Sequence, residues 1–434
     1  MAIFLGARGG DILTWRGIAE YVAEQRRMVA DLMSGSLTDE GIEVLKAYRS
    51  RLEEEKEFEA RFDEEFGETL DHLAHSGDPA QVSALIPRFD QLGRDYFLAR
   101  GSVVAAHALC NSYRDGVVRW SLQRAEDSLE LEEMRRSPAP YCLLVTGSSG
   151  RMEQTFCVEP GYLLIHAGTG DDVRAYFEKF VFRLVALLGG FGFLPEQGAG
   201  AIMRTVWWGG RQEWRAEIGE NLLPDDRTRY LSLLGLADLR LLHGDPHLAE
   251  EMIRVPRSVL HLRSARLPEH ASSGVAQARG ALTAPVPVFR EVGKTIADSA
   301  TGLDFFGRLR VEKGGRHRGR FNLDQYALVP LVANVRILAI DAGLAETPTV
   351  DRIKGLQAAG RLNVDLAERL LSAYHEIVGL KLLHQISEGC EPGEGCFINP
   401  RQLSEDGDQR LRQSLEAVSD LEKIAYISFT EQVR

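Results

Sequence analysis

Gly147-Ser148-Ser149-Gly150-Arg151 is a run of residue types suited to holding a phosphate. Gly147 and Gly150 permit positive φ and close approach of the backbone to a ligand. Backbone N–H groups and the Ser148 hydroxyl can then face phosphate oxygens, as in other glycine-rich anion nests. Arg151 adds a charge whose forked donors match phosphate geometry. The same residues also build ordinary tight turns, so the plain alternative is a turn with no ligand. Just beyond come Glu159-Pro160-Gly161, the first offering a carboxylate and the last no side chain at all.

Such a loop needs strands to hold it. Tyr141 to Thr146 is a short apolar run bounded by Pro140 and Gly147, which reads as a buried strand, and Gly161 to Ala167 reads as the next. Val173 to Leu188 is an amphipathic helix with Tyr176, Phe177, Phe180, Val181, Leu184 and Leu187 inward. After a glycine-rich patch, Ala201 to Val206 is a third candidate strand and Arg211 to Ile218 starts another helix. Strands, helix, strand and helices together predict an α+β core.

Helices flank this core on both sides. Residues 11 to 135 read as helical, with Ile42, Leu45, Tyr48, Leu52, Phe62, Phe66, Leu70 and Leu73 forming a stripe that Asp78-Pro79 interrupts. A hairpin packed on itself explains the stripe better than a partner-binding arm. Ser137-Pro138-Ala139-Pro140 breaks the helical character. Past a loose Ser264–Pro287 segment, a strand pair is expected at Phe306–Arg310 and Arg320–Leu323, joined by Gly314 to Gly319. Helices follow at 325–343, 347–359, 363–388 and 403–431, with Thr349, Asn363 and Asp365 at starts and Gly360 and Gly389 at ends. The expected divisions are 1–75 (helical arm), 76–137 (helices leading into the core), 138–260 (α+β core), 261–297 (connection) and 298–434 (helical substrate or partner domain).

The chain has 434 residues, 51 basic against 63 acidic, for a net charge of −12. That balance disfavours nucleic acid, except in a local basic groove such as Arg308, Arg310, Lys313, Arg316, His317, Arg318 and Arg320 would provide. Near the loop this cluster would grip phosphates; otherwise it is a charged hairpin tip in water. Five cysteines without CxxC spacing suggest reduced thiols in the cytoplasm. No secretory leader and no apolar stretch of about 20 residues is visible, so no membrane span is expected.

The longer string Gly147-Ser-Ser-Gly-Arg-Met-Glu-Gln-Thr155 and the strand after it resemble the nucleotidyltransferase superfamily, of DNA polymerase β-like fold. Specifically it looks like the branch related to the protein-PII uridylyltransferases, including bacterial proteins that often carry CBS and cyclic-nucleotide-binding domains. Ala237-Asp-Leu-Arg-Leu-Leu-His-Gly-Asp245 resembles the branch's Asp-x-Arg…Gly-Asp segment. Val335-Arg336-Ile337-Leu338-Ala339, Thr349-x-x-Arg352-Ile353 and His384-Gln385 resemble its C-terminal helices. The resemblance spans about residues 80 to 430 and implies a small mixed sheet as the core. It implies nucleotide contacts at Gly147, Ser148, Gly150, Arg151, Glu153 and Gln154, and Mg²⁺ with a nucleoside triphosphate.

This chain departs from the pattern where the chemistry belongs. The superfamily places two acids one residue apart on a strand to hold two metal ions; here Glu159-Pro160-Gly161 stands in that place. Glu159 is the one carboxylate left for a metal or catalytic role. Asn322-Leu323-Asp324 likewise stands where the branch has Asp-Leu-Lys. Asp171 and Asp172 are possible substitutes but fall beyond the strand, in an expected loop. The leading expectation is a degenerate nucleotidyltransferase that senses nucleotide or regulates in signal transduction. Its alternatives are an active nucleotidylyltransferase modifying a protein or small molecule through Glu159, and a helical adaptor whose 38–75 helix binds a protein partner. His243, His247, His261 and His270 fit no compact metal spacing, and Trp207, Trp208 and Trp214 suit a core better than base stacking.

Overall fold

The computed structural model describes residues 39–130, 137–157, 161–194, 206–220, 234–264, 302–304, 307–389 and 395–430. Contacts divide the chain into two units at Val117–Val118.

In the first unit, α1 (Asp39–His75) packs against α2 (Pro79–Arg100). Asp78 begins α2 because its carboxylate accepts the amides of Ala80 and Gln81, while Pro79 has no amide to leave unmet. The seam is aromatic: Phe62 meets Tyr96 at 4.5 Å, Phe66 meets Phe89 at 5.5 Å, and Phe89 stacks on Tyr113 at 5.0 Å. Tyr113 lies on α3 (Val103–Glu130). Arg100, 6% exposed, is held at 2.9 Å by both Glu55 and Glu59. The Phe62–Leu73 stripe is thus the inside of a helical hairpin. Leu52, expected on that stripe, is 46% exposed.

The second unit has an α+β core. Its sheet runs in the order β3, β2, β1, β4, with β1 as Tyr141–Val145, β2 as Tyr162–His166, β3 as Val206–Gly210 and β4 as Arg240–Gly244. β1 is antiparallel to β2 and β4, while β2 is parallel to β3, so the sheet is mixed. Its five residues are all buried, as a continuous apolar run in a strand paired on both edges requires. The parallel β2–β3 step needs a crossover, which α4 (Asp171–Gly190) supplies. The apolar face of α4 is the expected one, except that Leu187 is only half-buried and Leu188 buried. Asp171 and Asp172 are exposed in the first turn of α4 rather than in a loop. α5 (Arg211–Glu220) and α6 (Pro246–Ser264) follow β3 and β4.

One strand reading falls mostly outside the described residues and another is corrected. The third strand is Val206–Gly210; of Ala201–Val206 only the last residue is within the described part. Phe321–Asn322 (β5) pairs with Phe397–Ile398 (β6) and not with 306–310, because the glycine-rich turn closes locally, Gly319 donating to Glu312 O at 2.8 Å. Phe306, the 265–301 segment and residues 1–38 lie outside the described residues. The C-terminal helices are α7 (Val329–Asp341), α8 (Thr349–Ala358), α9 (Val364–Glu388) and α10 (Glu405–Thr430). Asn363 caps α9 by accepting Leu366 N, whereas Thr349 is the first residue of α8, preceded by Pro348.

Candidate functional site

The loop after β1 closes on itself. Residues 147–150 form one helical turn, entered through Gly147 at φ 64°. The amides of Gly150, Arg151, Met152 and Glu153 donate to Thr146, Gly147, Ser149 and Ser148 within that turn. Gly150 is indispensable for packing: a Cβ there would lie 1.9 Å from Asp238 O. Ser148 and Ser149 are buried, and Ser149 O accepts two guanidinium bonds from Arg240 at 3.1 and 3.0 Å.

Arg151 then turns inward. Its Nε donates to Glu153 Oε2 at 2.6 Å and its Nη1 to Asp238 Oδ2 at 2.8 Å. Asp238 has no exposure and takes two further arginines from the C-terminal helices. Arg336 of α7 donates to both its oxygens at 3.2 and 2.5 Å, and Arg352 of α8 to Oδ1 at 2.7 Å. Burial alone would raise the Asp238 carboxyl, but Arg336, Arg151 and Arg352 outweigh it and hold it well below the usual carboxylate range. Glu153 Oε1 accepts the amide of Thr349 at 2.5 Å. Burial, with Glu153 beside it, pushes the Tyr374 hydroxyl well up. Gln385 of α9 accepts Phe156 N at 3.1 Å and donates to Thr155 Oγ1 at 3.0 Å. The motif from Gly150 to Phe156 is therefore the joint between the sheet and α7, α8 and α9.

Of the residues implied as nucleotide contacts, Arg151, Glu153 and Gln154 are thus brought together in buried surroundings. Gly147, Ser148 and Gly150 form the turn above them. Glu159 lies outside the described residues. Gly161 stands just before β2, where the amide of Thr146 donates to its carbonyl oxygen at 3.0 Å. A Cβ at 161 would meet Thr146 Cγ2 at 2.9 Å, so the place of the second acid is filled by a threonine methyl. Asp245 caps α6, accepting Leu248 N at 2.8 Å. Among the described residues, no group of three His, Cys, Asp or Glu is placed to hold a metal ion. His243 is half-buried on β4 and His247 exposed, while His270 lies outside the described residues. Trp214 is core, 1% exposed, with Nε1 donating to Met252 O, and Trp207 packs edge-on to it at 5.1 Å.

What the sequence reading missed is a cleft of about 580 Å³ beside this joint. Arg151 and Arg336 line it from the Asp238 network, and Arg320, Lys381 and His384 from the C-terminal part. Lys381, 6% exposed, pairs with Asp324 at 3.0 Å, and Arg320 with Glu388 at 2.8 Å. His317 stacks on Phe397 at 3.8 Å, both lining the cleft. Of the basic run 308–320, His317 and Arg320 reach the cleft, while Arg308, Arg310, Lys313, Arg316 and Arg318 are exposed. Lys381, on a helix otherwise rich in leucine, carried no spacing signal by itself. Among the described residues, no helix is long and apolar enough to cross a membrane.

Two family models match the chain. Residues 87–226 match the family described as "Putative nucleotidyltransferase DUF294", and residues 287–429 its companion, "Putative nucleotidyltransferase substrate binding domain". No curated protein matches the chain. The first match contains the Gly147–Thr155 loop and its strands, and the second contains Arg320, Arg336, Arg352 and Lys381. With both halves matched in order, the chain belongs to the nucleotidyltransferase superfamily.

Proposed function

We propose that this protein is a degenerate nucleotidyltransferase that binds nucleotide and serves a regulatory, signalling role without transferring a nucleotidyl group. The carrying observation is the state of Asp238: its two oxygens take three guanidiniums, at 2.5 to 3.2 Å, in a place with no solvent exposure. A carboxylate so engaged would have to shed arginines before it could ligate a divalent cation, and hard cations require oxygen donors that are open to them. The Thr146 methyl against Gly161 supports the same reading, since an acid at 161 would collide with it. Two-metal nucleotidyl transfer needs several converging oxygen ligands to align the attacking hydroxyl and stabilise the leaving pyrophosphate. Glu159 alone supplies too few. The superfamily membership and the cation-lined cleft support retention of a nucleotide.

The test is calorimetric titration of the full chain with ATP and UTP, paired with incubation of α-labelled nucleotides and a cell lysate. Binding without label transfer is the expected result. Transfer of label that Glu159→Ala abolishes would establish the enzyme instead, and absence of binding to any nucleotide would remove the sensing role.

A further inference from the structure

We infer that the cleft beside the Asp238 network is a metal-independent site for the phosphate chain of a nucleoside polyphosphate, with Lys381 and Arg320 supplying the neutralisation that divalent cations supply in two-metal transferases and with His384 beside them. The inference rests on the nucleotide-binding reading above and adds the location, the residues and the independence from Mg²⁺.

Charge comes first. The whole chain carries −12, yet four permanent cations line this one cleft, Arg151, Arg320, Arg336 and Lys381, against two carboxylates, Asp324 and Glu388. With the network behind the wall included (Arg352, Asp238 and Glu153), five cations meet four carboxylates, a local surplus of one positive charge before either histidine is counted. A concave, partly desolvated wall focuses such a surplus toward an entering anion. Arg151 and Arg336 are anchored from behind by Asp238 and Glu153, which use Arg151 Nε and Nη1 and Arg336 Nε and Nη2. The remaining nitrogens, Arg151 Nη2 and Arg336 Nη1, are donors that those carboxylates leave unused. They sit on rigid stems, so little rotamer freedom is lost on gripping a phosphate.

Lys381 is the second element. An ammonium 6% exposed, on the middle of α9, pairs with Asp324 at 3.0 Å. That carboxylate is itself steadied by the amide of Cys396 at 2.8 Å. Such pairing keeps a buried ammonium charged, and an ammonium is a point-charge phosphate binder. His384 stands one turn of α9 further on, and Arg320 reaches the same wall through its bond to Glu388.

The third element is apolar. Leu328, Val329, Val332 and Ala333 line the cleft and recur at the three- and four-residue steps of one helix face. Val329 is 58% exposed at the start of α7. A strip of this kind beside a cationic wall fits a ligand with an apolar planar end and an anionic end, which is the chemistry of a nucleotide and not that of a free phosphate.

The experiment is titration of the full-length protein with UTP, ATP and inorganic triphosphate, in EDTA and again with Mg²⁺. Arg320→Gln, Lys381→Gln and, as a charge-matched control on the exposed turn, Arg318→Gln are measured alongside. The expected result is affinity undiminished by EDTA, weakened about tenfold or more by Arg320→Gln and by Lys381→Gln, and unchanged by Arg318→Gln. Inorganic triphosphate should bind more weakly than either nucleotide. Thermal melts show whether Lys381→Gln is folded; if it is not, Arg320→Gln, at a partly exposed position, decides. Affinity that vanishes in EDTA, or that survives the cleft substitutions, overturns this inference and leaves nucleotide binding standing. No binding under any condition overturns both.

Discussion

Arg352 Nη1 lies 2.7 Å from Asp238 Oδ1, and both side chains are almost wholly shielded from water. A residue of the C-terminal helices thereby takes the last share of an acid in the short helical turn before β4, after Arg151 and Arg336 have taken theirs. The arrangement accounts for the low proton affinity of Asp238, and equally for the Arg352 guanidinium. Burial lowers its proton affinity first, and neighbouring Arg336 and Arg151 add to that, against the pull of Asp238.

Replacing Asp238 by Asn should leave three guanidiniums around a neutral amide and destabilise the protein by about 3–5 kcal/mol, the range for breaking a buried ion pair from one side. Urea unfolding at pH 7 checks this. The sign with pH follows from the lowered carboxyl. Between the unfolded value, about 3.9, and the folded one, the unfolded state binds the extra proton, so native stability is lost as pH falls below about 4. The wild-type minus Asp238→Asn difference should therefore shrink on acidification; a difference that grows would contradict the network.

Gly161→Asp restores an acid to the position from which one is missing, and it should still give no nucleotidyl transfer. A Cβ there meets Thr146 Cγ2 at 2.9 Å, so overpacking should also cost about 1–3 kcal/mol. Pairing it with Thr146→Ala should recover part of that stability. Labelled-nucleotide incubation and a thermal melt of the single and double variants read both effects.

Nucleotide affinity should rise on acidification through His384. Burial holds its proton affinity below the ordinary histidine value, with Glu388 pulling upward, Arg320 downward, Asp324 upward and His317 downward. It is therefore neutral at pH 7, and protonation below about pH 6.5 adds a positive charge to the cleft. Calorimetry in EDTA from pH 7.5 to 5.5 should show tighter UTP binding as pH falls, and His384→Ala should remove that slope.

Glu422 on α10 is 4% exposed, with Oε1 lacking a hydrogen-bond partner among the described residues. Burial pushes its carboxyl up to about 8, against the opposing pull of Arg310 and Lys423. Between about 4.3 and that value the folded state holds the extra proton, so stability falls as pH rises across the window. Glu422→Gln should remove this slope and be more stable than wild type at pH 8 by roughly 1–3 kcal/mol. Unfolding midpoints at pH 5 and 8 give the comparison; equal slopes would exclude it.

Much was legible without coordinates. Periodicity located α4, α8, α9 and α10 to within a few residues, because each has an apolar face and, for α9, a boundary residue, Asn363, whose chemistry is local. The β1–loop–β2 segment was readable because an all-apolar pentapeptide between Pro140 and Gly147 has few other fates. β4 escaped notice as a strand since Arg240 to Gly244 mixes exposures and lacks a clean alternation. The β5–β6 pair was misassigned because the partner of Phe321 is Ile398, 77 residues further along the chain, and a nearby glycine turn offered a false hairpin.

The sequence by itself determined that a Gly-Ser-Ser-Gly-Arg turn follows a buried strand, and that one acid of the expected pair is a glycine. Those are properties of residue type and neighbouring order. Only the tertiary structure decided what Arg151 does, because its partners Glu153 and Asp238 stand 2 and 87 positions away and the arginines sharing Asp238 come from α7 and α8. The cleft belongs to the same class of fact. Arg151, Arg320, Arg336 and Lys381 are scattered along the chain, and charges converge on one wall only after helices pack.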